Sequence, residues 1–204
     1  MSDPHADFHI AIIGAGFAGI GMAIQLKKAG IHSFTIFERA GEIGGTWRDN
    51  TYPGAACDVP SHAYSLSFEQ NPGWTHRFSP SGEIQNYLLG LVEKWKLRSH
   101  LRLGTAIAAA EFDAEQGAWT LTTDAGDTVV ARVVVSAVGG LVDPALPEIQ
   151  GLQRFGGELF HTARWKGVSS LRAADPVSGL MVDLPLDQVD FASGSGADYR
   201  YEIL

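Results

Sequence analysis

The chain has 204 residues, 15 Lys+Arg against 23 Asp+Glu, a net charge of −8 and a single Cys. That length suits one domain with an appendage, and an apolar content of 45% excludes wholesale disorder. The acidic balance argues against nucleic-acid binding as the main business, and one Cys excludes an intrachain disulfide or any cysteine-built zinc or iron–sulfur site and suits a reducing cytoplasm. Gly accounts for 24 of the 204 residues, well above the usual share of ~7%, so tight turns or close backbone approaches are expected.

Phe8 to Ile13 is a short apolar run of the kind that forms a buried parallel strand. Phe17 to Ala29 reads as a helix, with Lys27 and Lys28 in its last turn and Gly30 as its stop. Phe34 to Glu38 reads as a second strand, which completes a βαβ unit. Residues 40–80 are irregular yet carry Trp47, Tyr52, Tyr64, Phe68 and Trp74, so this stretch is expected to pack on something. Ser81 to Trp95 has helical apolar spacing, with Ser79 or Ser81 as candidate cap and Pro80 in the first turn.

Strand signals follow at 101–103, 106–112, 119–123 and 128–131, the last two flanking an Asp124–Asp127 turn. Val133 to Val138 reads as another buried strand. The expected architecture is α/β: a Rossmann-like parallel sheet with helices and a small antiparallel meander, incomplete as a sheet. Residues 1–165 form that domain, and 166–204 read as a weakly structured tail. No apolar run reaches the ~18 residues of a membrane span, because Thr128 to Val142 is broken by Arg132 and by Gly139-Gly140. The N-terminus lacks the basic start of a secretory signal.

The chemistry concentrates near the first strand. Gly14-Ala15-Gly16-Phe17-Ala18-Gly19 follows a strand and opens a helix. Gly14 serves the tight turn, Gly16 lets backbone approach a pyrophosphate, and Gly19 lets the helix pack on the strand. Glu38 ends the second strand, where a carboxylate accepts from ribose hydroxyls and disfavours a 2′-phosphate; Arg39 beside it weakens that preference. Gly44, Gly45, Thr46 and Trp47 come next, either as a structural turn with a packed Trp or as a cofactor contact. The histidines form no metal-binding pair.

These motifs, the segment from Asn50 to Phe68 and the Val135–Gly151 segment resemble the FAD domain of class B flavin-dependent monooxygenases, with the Baeyer–Villiger enzymes as the nearest subgroup. Phe155, Gly157, His161 and Trp165 match the family fingerprint FxGxxxHxxxW. The resemblance covers about residues 8–165. It implies FAD as cofactor, with Gly14, Gly16 and Gly19 at the pyrophosphate and Glu38 at the ribose. It implies Thr46, Trp47, Asp58 and Tyr64 along the flavin half, Gly45 as a further cofactor-binding residue whose backbone comes close to the ligand, the Ile107 backbone at the adenine, and Gly139 where the chain passes the cofactor. Asp58 would lie where nicotinamide docks, and His161 would belong to a linker that couples domain movement. In complete family members NADPH reduces the flavin, and a C4a-peroxyflavin inserts oxygen next to a ketone or onto nitrogen or sulfur.

Three features depart from the family. Lys166 stands where Pro or Asp is expected, and Gly194-Ser195-Gly196 makes no second glycine fingerprint for NADPH. The active-site Arg and a late segment that completes the sheet are also missing. The expectation is therefore an FAD-binding module, truncated relative to the family and not competent alone, with a partner chain as one possible source of the missing domain. A non-catalytic dinucleotide-binding chain that pairs with a full-length paralogue is the alternative. A one-domain NAD-dependent dehydrogenase fits Gly14 to Glu38 equally well but not the later motifs.

Overall fold

The computed structural model describes residues 9–140, 143–154 and 161–165, together with the backbone of 170–174 and 181–185. Phe8, Phe155, Gly157, Lys166, Gly194 and Gly196 lie outside the described residues.

The elements, in chain order, are β1 (Ile10–Ile13), α1 (Phe17–Lys28), β2 (Phe34–Phe37), α2 (Thr46–Asp49), α3 (Ser81–Lys94), β3 (Leu101–Arg102), β4 (Ile107–Asp113), β5 (Ala118–Thr123), β6 (Thr128–Ala131), β7 (Val133–Ser136), β8 (Ser170–Ala174) and β9 (Met181–Pro185). The central sheet runs β3-β2-β1-β7, and every neighbouring pair is parallel. β4-β5-β6 is an antiparallel meander. β8 and β9 pair antiparallel with each other, within the segment read as a weakly structured tail.

Period-two alternation explains why β1 is apolar throughout. Ile10 and Ile12 point to one face and Ala11 and Ile13 to the other. The first face packs with Phe34 and Ile36 against Ile20 and Ile24 of α1 and Leu88, Leu91 and Val92 of α3. On the second face Ala11 and Phe37 meet Leu121 and Ala131 of the meander. The meander thus plays the part that a helix plays on the other side.

The helix ends follow local rules. Gly30, at φ +76°, donates to Lys27 O, and Ile31 donates to Leu26 O, a Schellman stop. α3 ends the same way, with Lys96 donating to Glu93 O and Leu97 to Val92 O, but the left-handed position is held by Lys96 at φ +50°. Ser79 and Ser81 do not cap α3. Pro80 is its N-cap, and Ser79 is buried with its hydroxyl donating to Ser61 Oγ. A buried hydroxyl takes the nearest good acceptor, and Ser61 supplies it while donating onward to His76 O. β7 stops at Ser136, short of the expected Val138, because Ala137 makes the last bond to Ile13 O and Gly139 then turns at φ +75°.

The long 40–80 stretch is pinned to the helices. Tyr87 Oη accepts from Leu66 N–H and donates to Glu69 O. Trp95 Nε1 and Lys94 Nζ both donate to the Glu69 carboxylate. Lys94 and Trp95 hold that carboxyl below its ordinary range, although its partial burial acts the other way.

Candidate functional site

The strand order reverses at β1: β2 and β3 lie on one side and β7 on the other. In open α/β sheets the crevice outside the carboxyl ends of the strands at that reversal is where ligands bind. Here it is bounded by Gly14–Gly16 after β1, by Glu38 after β2 and by Ala137–Gly139 after β7.

The three glycines of the turn serve different needs. Gly14 has φ +107°, and a Cβ on it would lie 2.4 Å from Ala137 O. A Cβ on Gly19 would lie 1.9 Å from Gly14 O, so only glycine lets α1 sit this close to the turn. At Gly16 nothing of the protein demands glycine: the nearest atom to a Cβ is Gly45 Cα at 3.8 Å. Gly16 is also the N-cap of α1, with no side-chain cap and no acidic residue in the first turn. Bare amides at a helix start beside an open strip of backbone suit an anion such as a pyrophosphate.

The second turn closes on the first. Gly44 N–H donates to Ala15 O at 2.9 Å, and Gly45 sits at φ +56° across from Gly16. α2 then presents Thr46, which is exposed, and Trp47. Trp47 Nε1 donates to Tyr64 Oη at 3.1 Å, with the rings edge to face. Tyr64 also meets Phe17 edge to face. Burial pushes the Tyr64 phenol above its ordinary value; the bond from Trp47 opposes this, and Cys57 and Asp58 add to it. Asp58 is exposed, while Cys57 is buried and its thiol donates to Val59 O.

Glu38 is 4% exposed and accepts three hydrogen bonds from the chain. Its Oε2 accepts from Ala15 N–H at 2.9 Å, and its Oε1 accepts from Ala40 N–H and from Arg48 at 3.0 Å each. The second strand therefore ends in a carboxylate tied both to the glycine turn and to α2. Burial alone would lower the Arg48 guanidinium, but Asp49 and Glu38 outweigh it and hold the group above its ordinary value.

Beside Glu38 opens a cavity of about 680 Å³, lined by Arg39, Arg48, Asp49, Ala106, Arg164 and Trp165 among others. Asp143 pairs with Arg39 at 3.3 Å and approaches Arg164 at 3.8 Å, which draws the fingerprint turn to the end of β2. His161 accepts from Ala163 N–H through Nδ1 and so caps that turn.

Gly14, Gly16, Gly19, Glu38, Gly45, Trp47 and Tyr64 are thus linked through adjoining turns, with Asp58 bearing on Tyr64 electrostatically. Ile107 is half-buried at the start of β4 and packs on the Ala11–Phe37 cluster, while its neighbour Ala106 lines the cavity. Gly139 is exposed beyond β7. Sequence reasoning passed over Arg48 and Asp49, whose adjacent opposite charges in α2 were their only signal, and Gln85, whose Nε2 donates to Ile43 O beneath the second turn. Among the described residues no group of three or more His, Cys, Asp or Glu gathers, and no helix is long and apolar enough to cross a membrane.

The family profile of the NAD(P)-binding Rossmann-like domain matches residues 12–79. A Baeyer–Villiger monooxygenase of Streptomyces coelicolor is 49% identical over 161 residues, which is 79% of this chain and 31% of the relative. The cyclohexanone monooxygenase from Rhodococcus sp. Phi1 bound to NADP+ superposes with a TM-score of 0.72 at 36% identity, over 80% of this chain and 32% of that one. The OTEMO complex with FAD and NADP gives 0.69 at 32% identity, over 78% of this chain and 30% of that one. The chain thus spans about a third of the length of the relatives it matches. Over that shared span the chain is homologous to Baeyer–Villiger monooxygenases, and its residues 12–79 match the NAD(P)-binding Rossmann-like domain.

Proposed function

We propose that this chain is the FAD-binding portion of an NADPH- and O2-dependent flavoprotein monooxygenase. The observation that carries the reading is the uncapped start of α1 at Gly16, where the glycine turn and the Gly44-Gly45 turn meet at backbone contact distance with no side chain over the helix amides. Pyrophosphate oxygens would accept from those amides. Glu38 would accept from the adenosine ribose, and the adenine would enter the cavity toward Ala106 and the Ile107 backbone. Thr46, Trp47, Asp58 and Tyr64 would line the flavin half, with Gly139 passing along it. When bound, the flavin supplies the redox chemistry and the activation of oxygen.

The chain's own residues bind, orient and shield. The Phe17–Tyr64–Trp47 arrangement fixes the wall along the flavin half, and the neutral phenol of Tyr64 keeps a hydroxyl there at ordinary pH. Substrate would be a small molecule, a ketone or a nitrogen- or sulfur-bearing compound. A hydride donor site for NADPH would come from outside these 204 residues, in the same protein or in a partner chain. A cytoplasmic location fits the lone buried thiol. The alternative is a non-catalytic dinucleotide-binding chain that pairs with a full-length relative.

Titration with FAD and with NAD, followed by flavin fluorescence and by calorimetry, tests the assignment. Saturable FAD binding at least tenfold tighter than NAD is expected. Tighter NAD binding would overturn it in favour of a dehydrogenase-like site.

A further inference from the structure

Arg48 uses four of its five N–H groups within the chain. Nε and Nη2 grip Asp49 at 2.8 and 2.9 Å, and Nη1 donates to Glu38 Oε1 at 3.0 Å and to Glu42 O at 2.6 Å. The side chain is largely covered, at 15% exposure, and faces a Glu38 side chain at 5%. This is a planar fork spanning four acceptor oxygens on three residues, a geometry a point-charge ammonium does not reproduce.

The consequence lies in the lone pairs left on Glu38. A carboxylate offers about four acceptor sites. On Oε1 both are taken, by Arg48 and Ala40 N–H. On Oε2 one is taken, by Ala15 N–H of the glycine turn. Among the described residues one site remains, on the oxygen that accepts from the glycine turn. Without Arg48 the buried carboxylate would lose its one cationic hydrogen-bond donor and its fixed orientation.

We infer that Arg48 is a positioning residue that aims the last open acceptor of Glu38 at a single ribose hydroxyl of an adenine dinucleotide. The inference rests on the FAD reading above. It deepens that reading by assigning the ribose grip to a pair that joins β2 to α2, rather than to Glu38 alone.

The test is a double-mutant cycle on the full chain: wild type, Arg48→Met, Glu38→Gln and the combination, each with a thermal melt. FAD affinity is read by flavin fluorescence and ADP affinity by calorimetry. Loss of one oriented hydrogen bond to a charged group predicts roughly tenfold weaker FAD and ADP binding in Arg48→Met. The combination is expected to bind within twofold of Glu38→Gln, because Arg48 acts only through that carboxylate. Arg48→Lys is expected to fall between wild type and Arg48→Met, and it carries the comparison if Arg48→Met melts early. Wild-type affinity in Arg48→Met or Arg48→Lys overturns the inference. So does loss of FAD with ADP untouched, or losses that multiply in the combination. A wild-type chain that binds neither FAD nor ADP overturns the FAD reading itself, and this inference with it.

Discussion

Gly16 and Gly19 stand three residues apart, yet their side-chain-free positions answer to different masters. A methyl at Gly19 would run into Gly14 O, whereas one at Gly16 would make only an ordinary contact with Gly45 Cα, at an unstrained φ of −87°. Gly19→Ala is therefore expected to destabilise the fold by about 1–3 kcal/mol through forced backbone displacement. Gly16→Ala is expected to change the melting temperature little, because stiffening of the unfolded chain is offset by the loss of glycine at an N-cap. On the proposed FAD reading it should nonetheless weaken FAD by at least tenfold, because the added methyl would crowd the backbone where the pyrophosphate is proposed to approach. Parallel melts and FAD titrations of the two variants check this, and equal loss of stability would contradict it. The glycine turn was legible because its rules are local, fixed by residues within one strand–turn–helix. The Glu38–Arg48 pair was not, because an arginine ten residues away reads the same in sequence whether it is solvated or laid on a buried carboxylate.

At the scale of elements, the two long helices end by the same hydrogen-bond pattern with different residues in the left-handed seat. α1 uses Gly30 and α3 uses Lys96. A side chain in that conformation costs about 1 kcal/mol, so Lys96→Gly is expected to stabilise the chain by up to that amount in denaturant unfolding. The 40–80 stretch is held by carboxylates on and near α3. Thr75 N–H donates to Glu83, and this holds the Glu83 carboxyl below its ordinary value against an opposing burial effect, with Ser79 and His76 adding support. Glu69 is lowered likewise by Lys94 and Trp95. A depressed carboxyl contributes stability in full above its unfolded value of about 4.3 and loses it as pH falls through the folded value. Tryptophan fluorescence should therefore report loosening of this stretch as pH falls below about 4.3, with a smaller response in Glu83→Gln. The strands and helices were legible from period and caps. The seating of Ser79 was not, since a buried hydroxyl's partner, here Ser61 from 18 residues earlier, is decided by packing.

For the whole molecule, one face of the sheet is closed by α1 and α3 and the other by the meander, and the binding crevice falls where the strand order reverses. The apolar runs of β1, β2 and β7 made this architecture readable, because strands buried on both faces leave a near-continuous apolar run. The placement of the fingerprint turn against the end of β2 through Asp143, Arg39 and Arg164 was unreadable, since exposed charges find partners only once the chain has folded. The central claim is that residues 9–165 form a crevice sufficient to hold FAD. It is tested most directly by loading the purified chain with FAD, desalting it and recording the absorbance spectrum. Protein-bound flavin bands that survive desalting in near-stoichiometric amount are expected. A folded chain that emerges with no flavin would contradict the claim.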